Sequence, residues 1–103
     1  MKDIEKIEIK IINLVQPMEL YIIPSELKVF YKNKSKDINF NVIENILNIV
    51  CLWDYEYLNN NIIDGNRYEI NIYTTKGVDR YIGINSYPKG YDKLVKMVGE
   101  LYE

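Results

Sequence analysis

The sequence contains no histidine and a single cysteine, Cys51. Without histidine the chain lacks the usual general base at neutral pH and the commonest zinc ligand. One cysteine cannot form a disulfide within the chain, cannot supply two thiolates to a metal site, and cannot join a Cys–His catalytic pair. These absences favour a protein that is not an enzyme and has no cofactor and no bound metal, although carboxylate, lysine or tyrosine chemistry stays open.

The chain also lacks a strong charge of either sign and a long apolar run. Its formal net charge is −2, and its lysines cluster only mildly, at Lys28, Lys32, Lys34 and Lys36. Duplex DNA binders are usually basic along one face, so charge argues against a nucleic-acid partner. No apolar stretch approaches the ~18 residues of a membrane span, and charges interrupt residues 1–6, where a secretory signal needs an apolar region. With one cysteine, this predicts a cytoplasmic protein without a membrane partner.

Two periodicities account for most of the chain. Apolar residues alternate over 4–12, 18–23, 27–32, 67–74 and 78–85, which predicts five strands, and recur every three or four residues over 40–50 and 91–101, which predicts two amphipathic helices. Asn39 is placed to cap the first helix, and Asn41, with Glu44 three residues later, is a rival start. The order strand–strand–strand–helix–strand–strand–helix predicts a single domain, residues 1–103, of the α+β class. We expect a two-layer sandwich, with an antiparallel sheet of about five strands and both helices on one face.

The alternation also assigns a core side and an outer side to each strand. Ile7, Ile9 and their equivalents are expected to face the helices, and in the last strand Val78, Ile82 and Ile84 are expected on that side. The outer side then carries four aromatic residues among charged ones: Tyr21, Phe30, Tyr73 and Tyr81.

Aromatic residues on an open sheet face have three explanations. The plainest is that they stabilise a solvated face through cross-strand pairs. They also suit a protein interface, because tyrosine is enriched at interface hot spots, and they suit base stacking or a small ligand. The missing catalytic sets favour a domain that binds a protein partner or forms a homodimer through this face or an edge strand. A small-ligand or single-stranded nucleic-acid-binding module is the second hypothesis.

Three further segments could carry chemistry, and each has a plainer structural explanation. The carboxylates of Asp54, Glu56 and Asp64 support a third hypothesis, a small carboxylate-based enzyme, but nothing in the sequence buries them as acid–base catalysis requires. The Asp-Gly pair at 64–65 is a turn signal without the further oxygen ligands of a calcium loop. The segment 83–88 suits a helix entry, since it lacks the glycines and lysine of a phosphate loop.

One longer pattern runs through the C-terminal half: a Trp and a Tyr before Asp-Gly, an alternating strand, and then Gly-x-Asn-x-Tyr-Pro before a helix. The residues that carry it are Trp53, Tyr57, Asp64, Gly65, Tyr68, Gly83, Asn85, Tyr87, Pro88, Tyr91 and Leu94. The pattern resembles that of a family of small uncharacterised bacterial proteins and covers roughly residues 50 to 100. No activity is attached to that family, so the resemblance implies a fold and, as a candidate binding patch, the group Asp64, Asn85 and Tyr87.

Overall fold

A computed structural model describes residues 4–12, 17–58, 67–84 and 86–102. The described residues form seven strands, two α-helices and one turn of 3-10 helix at Pro24–Glu26. In chain order the main elements are β1 (Ile4–Ile12), β2 (Met18–Ile23), β3 (Lys28–Tyr31), β4 (Lys34–Asp37), α1 (Phe40–Val50), β5 (Glu56–Leu58), β6 (Arg67–Thr74), β7 (Gly77–Ile84) and α2 (Tyr91–Leu101). The α+β class is confirmed, whereas the expected number of about five strands is wrong.

All seven strands belong to one sheet, in the order β4-β3-β2-β1-β6-β7-β5. Strand β1 lies in the middle, between β2 and β6, and every pairing is antiparallel except that of β5 with β7, which is parallel. The sheet is therefore mixed at one edge, which corrects the expectation of a purely antiparallel sheet.

The two strands that the sequence did not predict are β4 and β5, the short strands at the two edges of the sheet. In β4, no residue is apolar; it forms because Lys32 and Asn33, with φ of 48° and 61°, make a two-residue turn that folds it back onto β3. Strand β5 has only three residues. Charged and short edge strands protect a sheet from pairing with other chains, and periodicity cannot detect them because periodicity reports burial.

One hydrophobic cluster joins the apolar side of the sheet to both helices. Ile7 and Ile9 of β1 pair with apolar residues of β2 and β6 on either side. The members of the cluster at 0% exposure are Ile7, Ile9, Ile22, Val29, Ile43, Ile46, Val50, Ile70, Leu94 and Val98. Burial of one such side chain stabilises the fold by about 1.5–3 kcal/mol, so this shared cluster is what holds the helices to the sheet.

Helix α1 begins where the sequence predicted. The side chain of Asn39 accepts a hydrogen bond from the backbone N–H of Val42 at 3.3 Å, which confirms the predicted N-cap. Helix α2 also begins where the sequence predicted, at Tyr91, and it follows Gly90, whose φ of 88° is in the left-handed region. Neither helix in the described ranges combines the length and apolar character that crossing a membrane requires. The cytoplasmic location stays a prediction.

The pairing of β6 with β7 shows that the predicted faces of β7 were wrong. Tyr68 lies opposite Gly83 and Ile70 lies opposite Tyr81, so Gly83 and Tyr81 face the core. Tyr81 is only 9% exposed, whereas Val78, expected in the core, is 51% exposed. Because neighbouring residues alternate between faces, the isoleucines at 82 and 84 also lie on the side away from the helices.

The ring of Tyr68 explains this inversion. It packs over Gly83 so closely that a Cβ atom at that position would overlap the ring. A large aromatic residue thus requires a glycine opposite it, and the glycine takes a core position that hydrophobic alternation would assign to an apolar side chain.

We expect Gly83→Ala to lower the free energy of unfolding by about 1–3 kcal/mol, because the added methyl group overpacks the core against Tyr68. Gly99→Ala is the matched control: a Cβ there meets no atom within 4 Å, and the residue is inside α2, so the change should stabilise by up to about 1 kcal/mol. Denaturant unfolding monitored by circular dichroism measures both. Equal stability of Gly83→Ala and the wild type would contradict the proposed fit.

Candidate functional site

The outer face, as we call the side of the sheet opposite the helices, is defined by strand pairing. Glu8 of β1 pairs with Tyr21 of β2 and with Asn71 of β6. Tyr21 pairs in turn with Phe30, and Asn71 with Arg80. These five residues form a row across five strands and alternate with the buried residues of the core.

Three of the four aromatic residues predicted on the outer face lie on it. Tyr21, Phe30 and Tyr73 belong there by their pairing. Tyr81 lies on the core face, beside Tyr55 at a ring-centroid distance of 5.1 Å. Its predicted place in the interaction surface is therefore wrong. The reason is the contact of Tyr68 with Gly83, which puts all residues of β7 on the opposite faces from those predicted.

The outer aromatics form a stack that includes a lysine. The rings of Phe30 and Tyr21 are 5.0 Å apart and nearly parallel, at 13°. On the other side of Tyr21, toward β1, the Lys6 ammonium lies 4.8 Å from the Tyr21 ring centroid and 5.3 Å from that of Tyr73. Both faces of the Tyr21 ring are thus occupied, so a nucleobase could stack on it only by displacing Lys6 or Phe30. This geometry does not favour the nucleic-acid hypothesis.

A hydrogen-bonded network stands at the centre of the outer face. The Asn71 amide nitrogen donates to Glu8 Oε1 at 3.0 Å and to Glu69 Oε2 at 2.8 Å, while Asn71 Oδ1 accepts from Arg80 Nε at 3.0 Å. The Tyr73 hydroxyl donates to Glu8 Oε1 at 3.2 Å. Asn71 is only 1% exposed although no helix covers it, so the surrounding long side chains close over it. Satisfied buried networks of this kind hold their members in fixed positions.

The network changes the acidity of Glu8. Burial alone would raise the pKa of Glu8, but the hydrogen bonds from Asn71 and Tyr73 and the positive charges of Lys10 and Lys6 favour the carboxylate. The net result is a pKa below the ordinary value of 4.5. The alternation of the sequence placed Glu8, Asn71 and Tyr73 on one face and Arg80 on the other. It gave no signal for their mutual bonding, because hydrogen-bond geometry depends on the register of three strands.

Apolar side chains surround this polar centre. Val78 is 51% exposed, Ile12 46% and Tyr21 37%, and five more are partly exposed: Ile23, Phe30, Tyr73, Ile82 and Ile84. The charged residues of the face are five basic and five acidic: Lys6, Lys10, Lys28, Arg67 and Arg80 against Glu8, Glu19, Asp37, Glu56 and Glu69. The outer face is therefore partly apolar, and its charges balance.

The predicted carboxylate site lacks a buried acid among the described residues. Asp54 and Glu56 are both exposed. The Asp54 backbone N–H donates to the Tyr57 hydroxyl at 3.0 Å, which fixes the loop. Within residues 4–12, 17–58, 67–84 and 86–102, no three His, Cys, Asp or Glu side chains come together as metal ligands. Asp64 lies outside the described residues.

Three residues of the C-terminal pattern, Trp53, Tyr68 and Tyr91, form an aromatic cluster inside the protein. Tyr68 lies 5.2 Å from both Trp53 and Tyr91 by ring centroids, and Trp53 Nε1 donates to the Lys89 carbonyl at 2.8 Å. Burial raises the pKa of Tyr68 and raises that of Tyr91 to about 12, so both phenols stay neutral. Tyr87 is 45% exposed and packs on Tyr91. Its predicted patch partners, Asp64 and Asn85, lie outside the described residues, so the patch stays a prediction.

Three of the four lysines of the mild cluster make contacts within the chain. Lys28 Nζ lies 3.8 Å from Asp37, and the Lys32 ammonium lies 4.3 Å from the Tyr102 ring centroid. Lys36 donates to the backbone carbonyl of Glu100 at 3.3 Å, near the C-terminal end of α2 where the helix dipole favours a cation.

Acidification should destabilise the fold through Glu8. Because its pKa is lower in the folded chain than in the unfolded chain, Glu8 contributes stability above pH 4.5, and this contribution is lost as the pH falls through the folded value. Glu8→Gln keeps an oxygen that accepts a hydrogen bond from Asn71. Between pH 7 and pH 3, its free energy of unfolding should fall by about 1 kcal/mol less than that of the wild type.

Glu26→Gln, at an exposed carboxylate, serves as control and should keep the wild-type acid dependence. Denaturant unfolding at a series of pH values gives all three curves. An acid dependence of Glu8→Gln as steep as that of the wild type would contradict the role of the network.

No family model matches the chain, and searches of curated proteins and of solved structures likewise find no similar protein. The resemblance of residues 50 to 100 to small uncharacterised bacterial proteins accordingly stays a prediction. Any function proposed for the chain has to follow from its own geometry.

Proposed function

We propose that this chain is a non-enzymatic domain that binds a second copy of itself through the outer face. The observation that carries the proposal is a sheet face that neither helix covers and that combines eight exposed or partly exposed apolar side chains with a rigid polar centre. Interfaces show the same combination of aromatic and aliphatic area with satisfied polar groups.

The dimensions of the face suit a stable dimer. Seven strands span roughly 29 Å, and β6 and β7, with eight residues each, run for about 27 Å. Since the edge strands are shorter, the face offers about 600–800 Å², close to the ~800 Å² that each partner buries in an ordinary specific interface.

Its charges favour a second copy over a partner of one dominant charge. In a two-fold dimer the same surface meets itself, so its basic groups must find acidic groups of the other copy. With five basic and five acidic residues, the face offers a second copy as many acidic as basic groups. The rigid network centred on Asn71 would also limit the side-chain entropy lost on binding.

The test is the oligomeric state, measured by size-exclusion chromatography with light scattering over a range of concentrations. We expect a dimer in the wild type and a shift to monomer in the double variant Val78→Glu plus Ile82→Glu, because two unpaired carboxylates would be buried at the interface. Both positions are exposed or partly exposed in the single chain, so the variant should fold.

Leu52→Glu is the matched control, because Leu52 is 81% exposed but follows α1, on the helix side of the sheet. It should leave the dimer intact. A wild type that is monomeric up to millimolar concentration would overturn the proposal, and so would a dimer that Leu52→Glu disrupts as strongly as the double variant does.

A further inference from the structure

The core face of the sheet is wider than the helices that cover it. Seven strands span roughly 29 Å, whereas two helices packed side by side cover about 20 Å. Helix α2 packs along one flank of α1, where Gly90 lies against Ile49. The opposite flank of α1 therefore faces a part of the sheet that neither helix covers.

A cavity of about 360 Å³ lies along this open flank. Its floor is formed by Ile4, Ile72 and Tyr81 of the sheet. Its wall is formed by α1 and the residue after it, with Glu44, Leu47, Asn48 and Cys51. The volume suits a small organic molecule, since ligand pockets begin at about 300 Å³. The floor offers an apolar surface together with the ring of one tyrosine.

The charge of the cavity selects among such molecules. Glu44 lines it, one turn of α1 before Asn48, and the described lining residues include no lysine or arginine. Asp79 lies two residues from Tyr81, on the same face of β7. Burial is the largest cause that raises the pKa of the Tyr81 phenol, and Tyr55 and Asp79 raise it further. The surroundings of the cavity are thus acidic and aromatic.

We infer that this cavity binds a small organic cation that carries an apolar group. The apolar group would pack on Ile4, Leu47 and Ile72, while the cation would lie between the Glu44 carboxylate and the ring of Tyr81. A cation over a tyrosine ring and near a carboxylate gains from both contacts. The site is on the opposite side of the sheet from the outer face, so it does not depend on self-association.

Three phenyl-bearing probes of similar size test the charge preference: the 2-phenylethylammonium ion, neutral 2-phenylethanol and the 3-phenylpropanoate anion. Amide chemical shifts in nuclear magnetic resonance titrations report both the affinity and the place of binding. We expect the ammonium ion to bind in the millimolar range, about tenfold more tightly than the alcohol, and to shift residues of α1 near Leu47 and of β7 near Tyr81. The anion should cause no saturable shifts.

Two changes locate the site. Glu44→Gln should weaken binding of the ammonium ion about three- to fivefold, whereas Glu56→Gln, which removes the same charge from the outer face, should leave it unchanged. Cys51, the single cysteine of the chain, is exposed and lines the cavity. Alkylation of Cys51 with N-ethylmaleimide therefore fills the cavity with one adduct and should abolish binding.

Equal affinities for the ammonium ion and the alcohol would overturn the charge assignment. Saturable shifts confined to other parts of the chain, or unchanged binding after alkylation of Cys51, would overturn the site itself. The three probes are compared on one folded protein, and loss of structure after alkylation would abolish binding and not leave it unchanged. Loss of structure therefore cannot produce these outcomes.

Discussion

The contact of the Tyr68 ring with Gly83 decides which side chains of β7 face the helices. Once Gly83 lies beneath the ring, the alternation of the strand places Tyr81 in the core and Val78, Ile82 and Ile84 on the other side. The apolar area of the outer face and the tyrosine floor of the cavity both follow from this one fit. A register shifted by one residue would exchange the two sets and remove both proposed sites.

The mismatch between the sheet and its helices is the second determinant. The short edge strands β4 and β5 widen the sheet but add only Tyr57 to the packing around the core. The helices then cover the isoleucine-rich centre and leave flanks open. A five-stranded sheet with the same helices would lack the strand β5 beside β7 and would offer less outer face. Surface available for binding therefore arises from residues that contribute little to stability.

Sequence periodicity predicted the strands and helices whose side chains form the core, and it missed the features that depend on how strands pair. The central strands, both helices and the Asn39 cap follow from alternation and capping chemistry, because Ile7, Ile9, Ile43 and Leu94 are in the core by their hydrophobicity alone. Strand β4 was not predicted because its turn depends on two residues with positive φ. Tyr81 was placed on the wrong side because the strand has apolar residues of both parities. The bond of Asn71 to Glu8 could not be inferred, since it joins strands whose residues are 63 positions apart in the chain.

The central position of β1 has a consequence for how the protein forms. Its two neighbours differ greatly in distance along the chain: β2 follows after a short connection, whereas β6 lies more than fifty residues further on. The N-terminal strand pairs early on one side, and its other edge stays open until the last hairpin arrives. Closing so long a loop is entropically slow. On the ribosome, one edge of β1, the most isoleucine-rich strand, therefore stays unpaired until β6 has been synthesised. Unpaired strand edges promote aggregation, so the chain is most exposed to aggregation during this interval.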